Sequence, residues 1–66
     1  MMNIREPRFA ITTRDGRYVW YYPFEIYDDI NTLNQAEASY VSQRLMNMGM
    51  THTIHIISPN DPNYDK

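Results

Sequence analysis

The dipeptide Asp15-Gly16 separates two runs of β-forming residues, and this arrangement constrains the fold more than any other feature of the sequence. Before it, "RFAITT" alternates Phe9, Ile11 and Thr13 with small or polar residues, which is the two-residue period of a half-buried strand. After it, "RYVWYYPFEI" is rich in aromatic and β-branched residues, which favour strands. Because glycine tolerates the positive φ of a tight turn, the sequence predicts a β-hairpin.

The loop length of this hairpin decides which side chains are buried. A loop of two or four residues places Thr13 opposite Tyr18, Ile11 opposite Trp20 and Phe9 opposite Tyr22. A three-residue bulged loop would shift every pair by one position. We expect the even loop, because it gathers the larger apolar side chains on one face: Phe9, Ile11, Tyr18, Trp20, Tyr22 and Phe24. The other face then holds Ala10, Thr12, Val19 and Tyr21.

One helix is predicted after the connector "YDDINT". Asn34, followed three residues later by Glu37, resembles a capping box, and Thr32 with Gln35 is the alternative cap. Gly49 is the expected C-terminal stop, in a Schellman ending. The spacing of three and four residues typical of a buried helix stripe is shown by Ala38, Val41, Leu45 and Met48.

The segment "THTIHIIS" is the last predicted strand, and Pro23 marks the second strand as an edge, since proline cannot donate to a ladder. We therefore expect one small α+β domain over residues 1–66, with loose termini at 1–6 and 59–66. Its order is ββαβ. The first two strands form an antiparallel hairpin in a three-stranded sheet of order 2-1-3, the last strand runs parallel to the second, and the helix covers one face.

Composition narrows the classes of function. The chain has 66 residues, no cysteine and a net charge of −2, so disulfides and thiolate metal sites are excluded. Its N-terminal residues do not resemble a signal peptide, and no apolar run approaches the roughly 18 residues of a membrane span. A cytoplasmic protein without membrane partners is the expectation.

Three polar patterns in the sequence fit structural roles better than catalytic or metal-binding ones. His52 and His55 are three apart on a strand, so they point to opposite faces and cannot share one ion. The tail matches only the start of a calcium loop, without its glycine and bidentate glutamate. The adjacent aspartates of "YDDINT" have no oriented partner. We expect no enzymatic activity, no metal and no cofactor.

A sheet with one helix leaves its other face uncovered, and this face is the candidate contact surface. Tyrosine gives large contact area at low entropic cost, which is typical of protein interfaces. The leading interpretation is a non-enzymatic protein-binding module that uses this outer face and an edge strand, with self-association included. The candidate contact residues are Val19, Tyr21, Tyr27, His55 and Ile57.

Nucleic-acid binding is the alternative. Arg8, Arg14 and Arg17 lie in or beside the predicted hairpin, where arginines would meet phosphates and neighbouring rings would stack on bases. The acidic net charge and the lack of a lysine-rich stripe argue against this alternative.

The order of elements is similar in outline to small bacteriophage proteins that bind and inhibit host enzymes. "NTLNQAEASY", residues 31–40, resembles the helix opening of a phage inhibitor of bacterial RNA polymerase. The resemblance implies a phage or prophage accessory protein that binds and modulates or inhibits a host protein.

Overall fold

The structure, a computed structural model, describes residues 5–20 and 25–66. The predictions made for Tyr21, Tyr22, Pro23 and Phe24 lie outside the described residues. One helix and four strands follow one another along the chain: β1 (Arg8–Thr13), β2 (Tyr18–Val19), β3 (Ile26–Tyr27), α1 (Gln35–Asn47) and β4 (His52–Ile57). The predicted α+β class is confirmed.

The strands form one antiparallel sheet in the order β3-β2-β1-β4, so the prediction of three strands in the order 2-1-3 is wrong. The difference arises after Trp20, whose backbone N–H donates to the carbonyl of Glu25 at 2.9 Å. The run read as one long strand thus supplies two short antiparallel strands, β2 and β3. As a result β2 lies inside the sheet, and the edges are β3 and β4.

The hairpin between β1 and β2 has the three-residue loop that the sequence argument rejected. The Thr13 N–H donates to the Arg17 carbonyl at 2.7 Å, and the Gly16 N–H donates to the Thr13 carbonyl at 3.0 Å. Gly16 has a φ of 85°, so the loop is a turn closed by a left-handed glycine, as in a G1 bulge.

This loop shifts the register by one residue. Ile11 pairs with Val19 and Thr12 with Tyr18, so the predicted pairs Thr13–Tyr18 and Ile11–Trp20 are wrong. Val19 becomes fully buried, whereas Trp20 keeps 39% of its surface exposed. The two faces of β2 are therefore exchanged relative to the prediction.

The ladder of β1 continues past the end of β2. Phe9 donates its N–H to the Leu33 carbonyl at 2.8 Å, and the Leu33 N–H donates to the Phe9 carbonyl at 2.7 Å. Leu33 is itself fully buried. This bridge fixes the chain just before the helix and places the helix over the sheet.

The ends of α1 follow the sequence prediction. Asn34 Oδ1 accepts from the Glu37 N–H at 2.7 Å, while Glu37 Oε1 accepts from the Asn34 N–H at 2.9 Å, which completes the capping box. At the other end Gly49 has a φ of 71°, and the Met50 N–H donates to the Leu45 carbonyl at 2.9 Å. This is a Schellman ending, which satisfies carbonyls of the last turn.

The core is aliphatic and lies between α1 and one face of the sheet. The partly buried ring of Phe9 packs against it. Met48, predicted as part of the helix stripe, is instead exposed. The buried cluster consists of Ile11, Val19, Leu33, Ala38, Val41 and Leu45.

The observed register predicts different costs for the same polar substitution at two paired positions. Val19 is buried and its partner Ile26 is exposed on β3. Val19→Thr should lower the free energy of unfolding by about 1–3 kcal/mol, because it buries a hydroxyl group in an aliphatic core. Ile26→Thr should cost less than about 1 kcal/mol. Urea unfolding of both variants measures the difference, and equal losses would contradict this register.

Candidate interaction surface

The sheet face opposite α1 carries a cluster of aromatic side chains. Phe9 and Ile11 point toward the helix, so the alternating residues of β1 and their cross-strand partners point away from it. The first row on this outer face runs across three strands, from Tyr27 through Tyr18 to Thr12. We call Tyr18, Trp20 and Tyr27 the aromatic face.

Trp20 and Tyr27 form the exposed centre of the aromatic face. Their ring centroids are 6.2 Å apart at an interplanar angle of 67°, an edge-to-face arrangement that aromatic pairs prefer. Trp20 is 39% exposed and Tyr27 is 38% exposed. Both residues therefore keep more than a third of their surface exposed.

Glu25 lies beside this pair. The Tyr27 hydroxyl donates to Glu25 Oε2, and this hydrogen bond, aided by the carboxylate charge, raises the pKa of Tyr27 above its ordinary value. The Tyr27 phenol is therefore oriented and keeps its proton. A carboxylate, that of Glu25, thus lies at the margin of the exposed pair of rings.

The aromatic face continues toward β4 through smaller residues. Ala10 is buried and pairs with His55. The imidazole Nε2 of His55 lies 2.9 Å from Thr12 Oγ1. Ala10 and Thr12 of β1 therefore lie between the aromatic face and His55 on the outer side of the sheet.

The five predicted contact residues separate in the structure. Tyr27 and His55 are exposed on the outer face. Ile57 pairs with Arg8, and it lies on that face but is buried. Val19 lies on the helix side in the core, because the three-residue loop reversed β2, and Tyr21 is outside the described residues.

Sequence reasoning missed Tyr18 and Trp20 as outer-face residues by assigning both to the core. The signal that could have found them is Gly16, since Asp-Gly also fits a three-residue loop with glycine in the left-handed region. With that loop, the same alternation sends Tyr18 and Trp20 outward.

The arginines of the alternative interpretation do not form one surface. Arg8 donates to the Thr32 carbonyl at 3.0 Å and to Thr32 Oγ1 at 3.2 Å, at the start of β1. Arg14 lies at the far end, in the hairpin loop, and Arg17 Nε pairs with Asp28 Oδ1 at 3.2 Å. The six residues of β1, about 20 Å in length, separate Arg8 from the other two.

A basic cavity of about 320 Å³ lies beside Arg8, with Arg5 and Lys66 in its lining. Its charges are already partly compensated. Arg5 Nη2 pairs with Asp65 Oδ1 at 2.9 Å, and the Arg5 guanidinium carbon lies 4.3 Å from the ring centroid of Tyr64. These contacts bring the two ends of the described chain together.

Ser42 and His52 form a hydrogen-bonded pair between α1 and β4. Ser42 Oγ lies 2.7 Å from His52 Nε2, and His52 Nδ1 lies 3.1 Å from the Met50 carbonyl. Because a carbonyl only accepts, Nδ1 carries a proton, and in the neutral imidazole Nε2 then accepts from the serine hydroxyl. A serine–histidine pair is also the start of a nucleophilic site. Neither residue lines the basic cavity or the apolar cavity between Ile26 and Met50, and their hydrogen bond joins α1 to β4.

Among residues 5–20 and 25–66, no group of three or more histidine, cysteine or acidic side chains is placed to hold a metal ion. In the same part of the chain, no helix has the length and apolar character needed to cross a bilayer. Comparison of the chain with protein-family models, curated proteins and solved structures finds no match.

The tip of the β1–β2 hairpin predicts a pH-dependent contribution to stability. The Thr13 hydroxyl donates to Asp15 Oδ1, which, together with the charge of Arg17, lowers the pKa of Asp15. A lowered folded-state pKa stabilises the fold above the unfolded value of about 3.9, and this contribution is lost as the pH falls through the folded value.

Asp15→Asn should therefore lower the melting temperature at pH 7, with the deficit shrinking as the pH falls below about 3.9. Thr13→Val removes the donor of the same bond. The double variant should therefore lose less than the sum of the two single losses. Thermal unfolding between pH 2 and pH 7 measures this, and a deficit that is constant with pH would contradict the assignment.

Proposed function

We propose that the protein is a non-enzymatic protein-binding module whose contact surface is the aromatic face. The observation that carries the proposal is the Trp20–Tyr27 pair, two half-exposed rings in edge contact on the sheet face opposite α1. Tryptophan and tyrosine are enriched among the residues that contribute most to protein–protein affinity.

The paired strands that hold the two rings in place favour protein recognition. Trp20 and Tyr27 belong to or flank paired strands, and Trp20 is held by its backbone bond to Glu25. Their backbone entropy is thus already lost before a partner binds, which lowers the cost of association. His55 and Thr12, joined at 2.9 Å, add polar groups at the margin, as in the polar rim of many interfaces.

Nucleic-acid binding remains the second candidate function, because exposed rings also stack on bases. The charge distribution supports it less. The carboxylate of Glu25 accepts from Tyr27 at the margin of the face, where it would repel phosphates. Arg8 and Arg17 are engaged by Thr32 and Asp28 respectively.

The proposal includes a cytoplasmic protein that binds and modulates or inhibits a host protein, as expected of a phage or prophage accessory protein. This part rests on the resemblance of "NTLNQAEASY" alone, because β3 departs from the predicted order of elements. The helix opening supports that resemblance locally, since Asn34 caps α1 within this segment.

Trp20→Ala and Tyr27→Ala should each weaken binding to a partner captured from the source cell by about thirtyfold, or about 2 kcal/mol. Tyr40→Ala is the matched control, since Tyr40 is similarly exposed but lies on α1. The chain has one tryptophan, so a change in the fluorescence of Trp20 on titration with the partner reports contact at the aromatic face.

Equal binding by the Trp20, Tyr27 and Tyr40 variants would contradict the aromatic face as the contact surface. Capture of nucleic acid instead, with affinity that falls steeply with salt and is lost in Arg14→Ala/Arg17→Ala, would favour the second candidate.

A further inference from the structure

The edge of the sheet formed by β4 is long and uncharged. β4 is the last strand of the order β3-β2-β1-β4 and has six residues, His52–Ile57, with no acidic residue, lysine or arginine. The opposite edge, β3, has only two residues and is bordered by Glu25 and Asp28. Proteins protect edges from pairing by shortening or charging them. The edge formed by β3 has both protections, and the edge formed by β4 has neither.

The hydrogen bonds of β1 show which backbone groups of β4 point outward. Phe9 and Thr13 direct their N–H groups away from β4, to Leu33 and Arg17. Neighbouring residues of a strand bond to opposite sides, so the residues between them bond to β4. Their partners there are Thr53, His55 and Ile57.

It follows that Ile54 and Ile56 direct their N–H and C=O groups to the open side of β4. Their side chains lie on the helix side of the sheet, since they pair with Ile11 and Phe9. Ile54 is 46% exposed and Ile56 is 72% exposed. Open backbone groups and exposed apolar side chains thus coincide on the same two residues.

The helix flank above this edge is also uncharged. Ser42 bonds to His52 at 2.7 Å, which turns that side of α1 toward β4. The residues that share this flank by helical spacing are Gln35, Ser39, Ser42 and Met46. The two charged residues of the helix, Glu37 and Arg44, lie on the other flank.

We propose that β4 pairs with β4 of a second copy of the chain to form a twofold symmetric dimer. Ile54 bonds to Ile56 of the second copy, and Ile56 to its Ile54, so the two strands run antiparallel about an axis at His55. The result is one eight-stranded sheet with both helices on the same face. This inference is independent of the function proposed for the aromatic face.

The edge favours a second copy over an isolated peptide for two reasons. First, the edge is complementary to itself, because a twofold axis matches the donors and acceptors of Ile54 with those of Ile56 and brings no acidic, lysine or arginine side chains of the two strands together. Secondly, β4 of a second copy pairs with the backbone groups of Ile54 and Ile56. The helix flank of that copy also covers their side chains. An extended peptide would satisfy the backbone groups and leave the side chains exposed above it.

The size of the edge predicts a weak dimer. Six strand residues extend about 20 Å, and the two shorter dimensions of the molecule are 21 and 17 Å. The contact is therefore about 400 Å² on each copy, which is small for a stable interface. We expect association in the micromolar range, visible only when concentration is varied.

Sedimentation velocity of the full chain from about 1 to 500 μM should show a monomer–dimer equilibrium. Ile56→Lys should weaken it at least tenfold, because it places two charges near the axis. Ile26→Lys is the matched control, with the same change on the same face at the other edge, and it should leave the equilibrium unchanged. A monomer throughout this range, or equal effects of the two variants, would overturn the proposal.

Proline distinguishes backbone pairing from a purely hydrophobic contact. In the monomer the Ile56 N–H points to solvent, where proline is tolerated on an edge strand. Ile56→Pro should therefore keep the far-ultraviolet circular dichroism of the monomer and abolish the dimer. A folded Ile56→Pro variant that still dimerises would overturn the proposal.

Cysteine cross-linking tests the register, since the chain has no cysteine of its own. Only residue 55 lies opposite itself, in a pair without hydrogen bonds whose Cα atoms are about 4.5 Å apart, which suits a disulfide. His55→Cys should form a disulfide-linked dimer under mild oxidation. Thr53→Cys should not, because its two copies are about 14 Å apart. Equal cross-linking of the two variants would overturn this register.

Discussion

The left-handed backbone of Gly16 determines how the faces of this domain are used. At a φ of 85°, it closes a three-residue loop in which Thr13 bonds to Arg17, and this fixes Val19 opposite Ile11. Moving the pairing by one residue would bury Trp20 and expose Val19. The aliphatic core and the aromatic outer face are thus two consequences of one turn.

The sequence predicted best what is determined locally. The capping box of Asn34 and Glu37 and the Schellman ending at Gly49 each depend on a few consecutive residues, and both were predicted correctly. The register depends on a choice that Asp-Gly leaves open, since this dipeptide fits loops of either parity. The expectation that the largest side chains fill the core led to the wrong register. The chain buries Ile11, Val19 and Leu45 under its helix and leaves Trp20 half-exposed.

The candidate surface was predicted only in part, because it also depends on the register. His55 could be placed outward because β4 alternates regularly, whereas Tyr27 was predicted in a loop and lies in β3. The pairing of β2 with β3, which the hydrogen bond from Trp20 to Glu25 closes, could not be predicted from periodicity. Each of these two strands has only two residues. Because β3 covers β2, the two edges of the sheet are β3 and β4, and Ile54 and Ile56 lie on the β4 edge.

The two proposed surfaces lie on different parts of the sheet and do not compete. The aromatic face is on the side opposite α1, whereas the pairing of β4 uses the edge and the helix side. In the proposed dimer, five strand spacings of about 4.8 Å separate the two copies of β2, so two aromatic faces lie about 24 Å apart on one continuous surface. A partner with two matching sites would bind both, and its second contact would form at high effective concentration. A weak dimer could in this way increase the affinity of a small contact surface, provided that the partner is itself symmetric or repetitive.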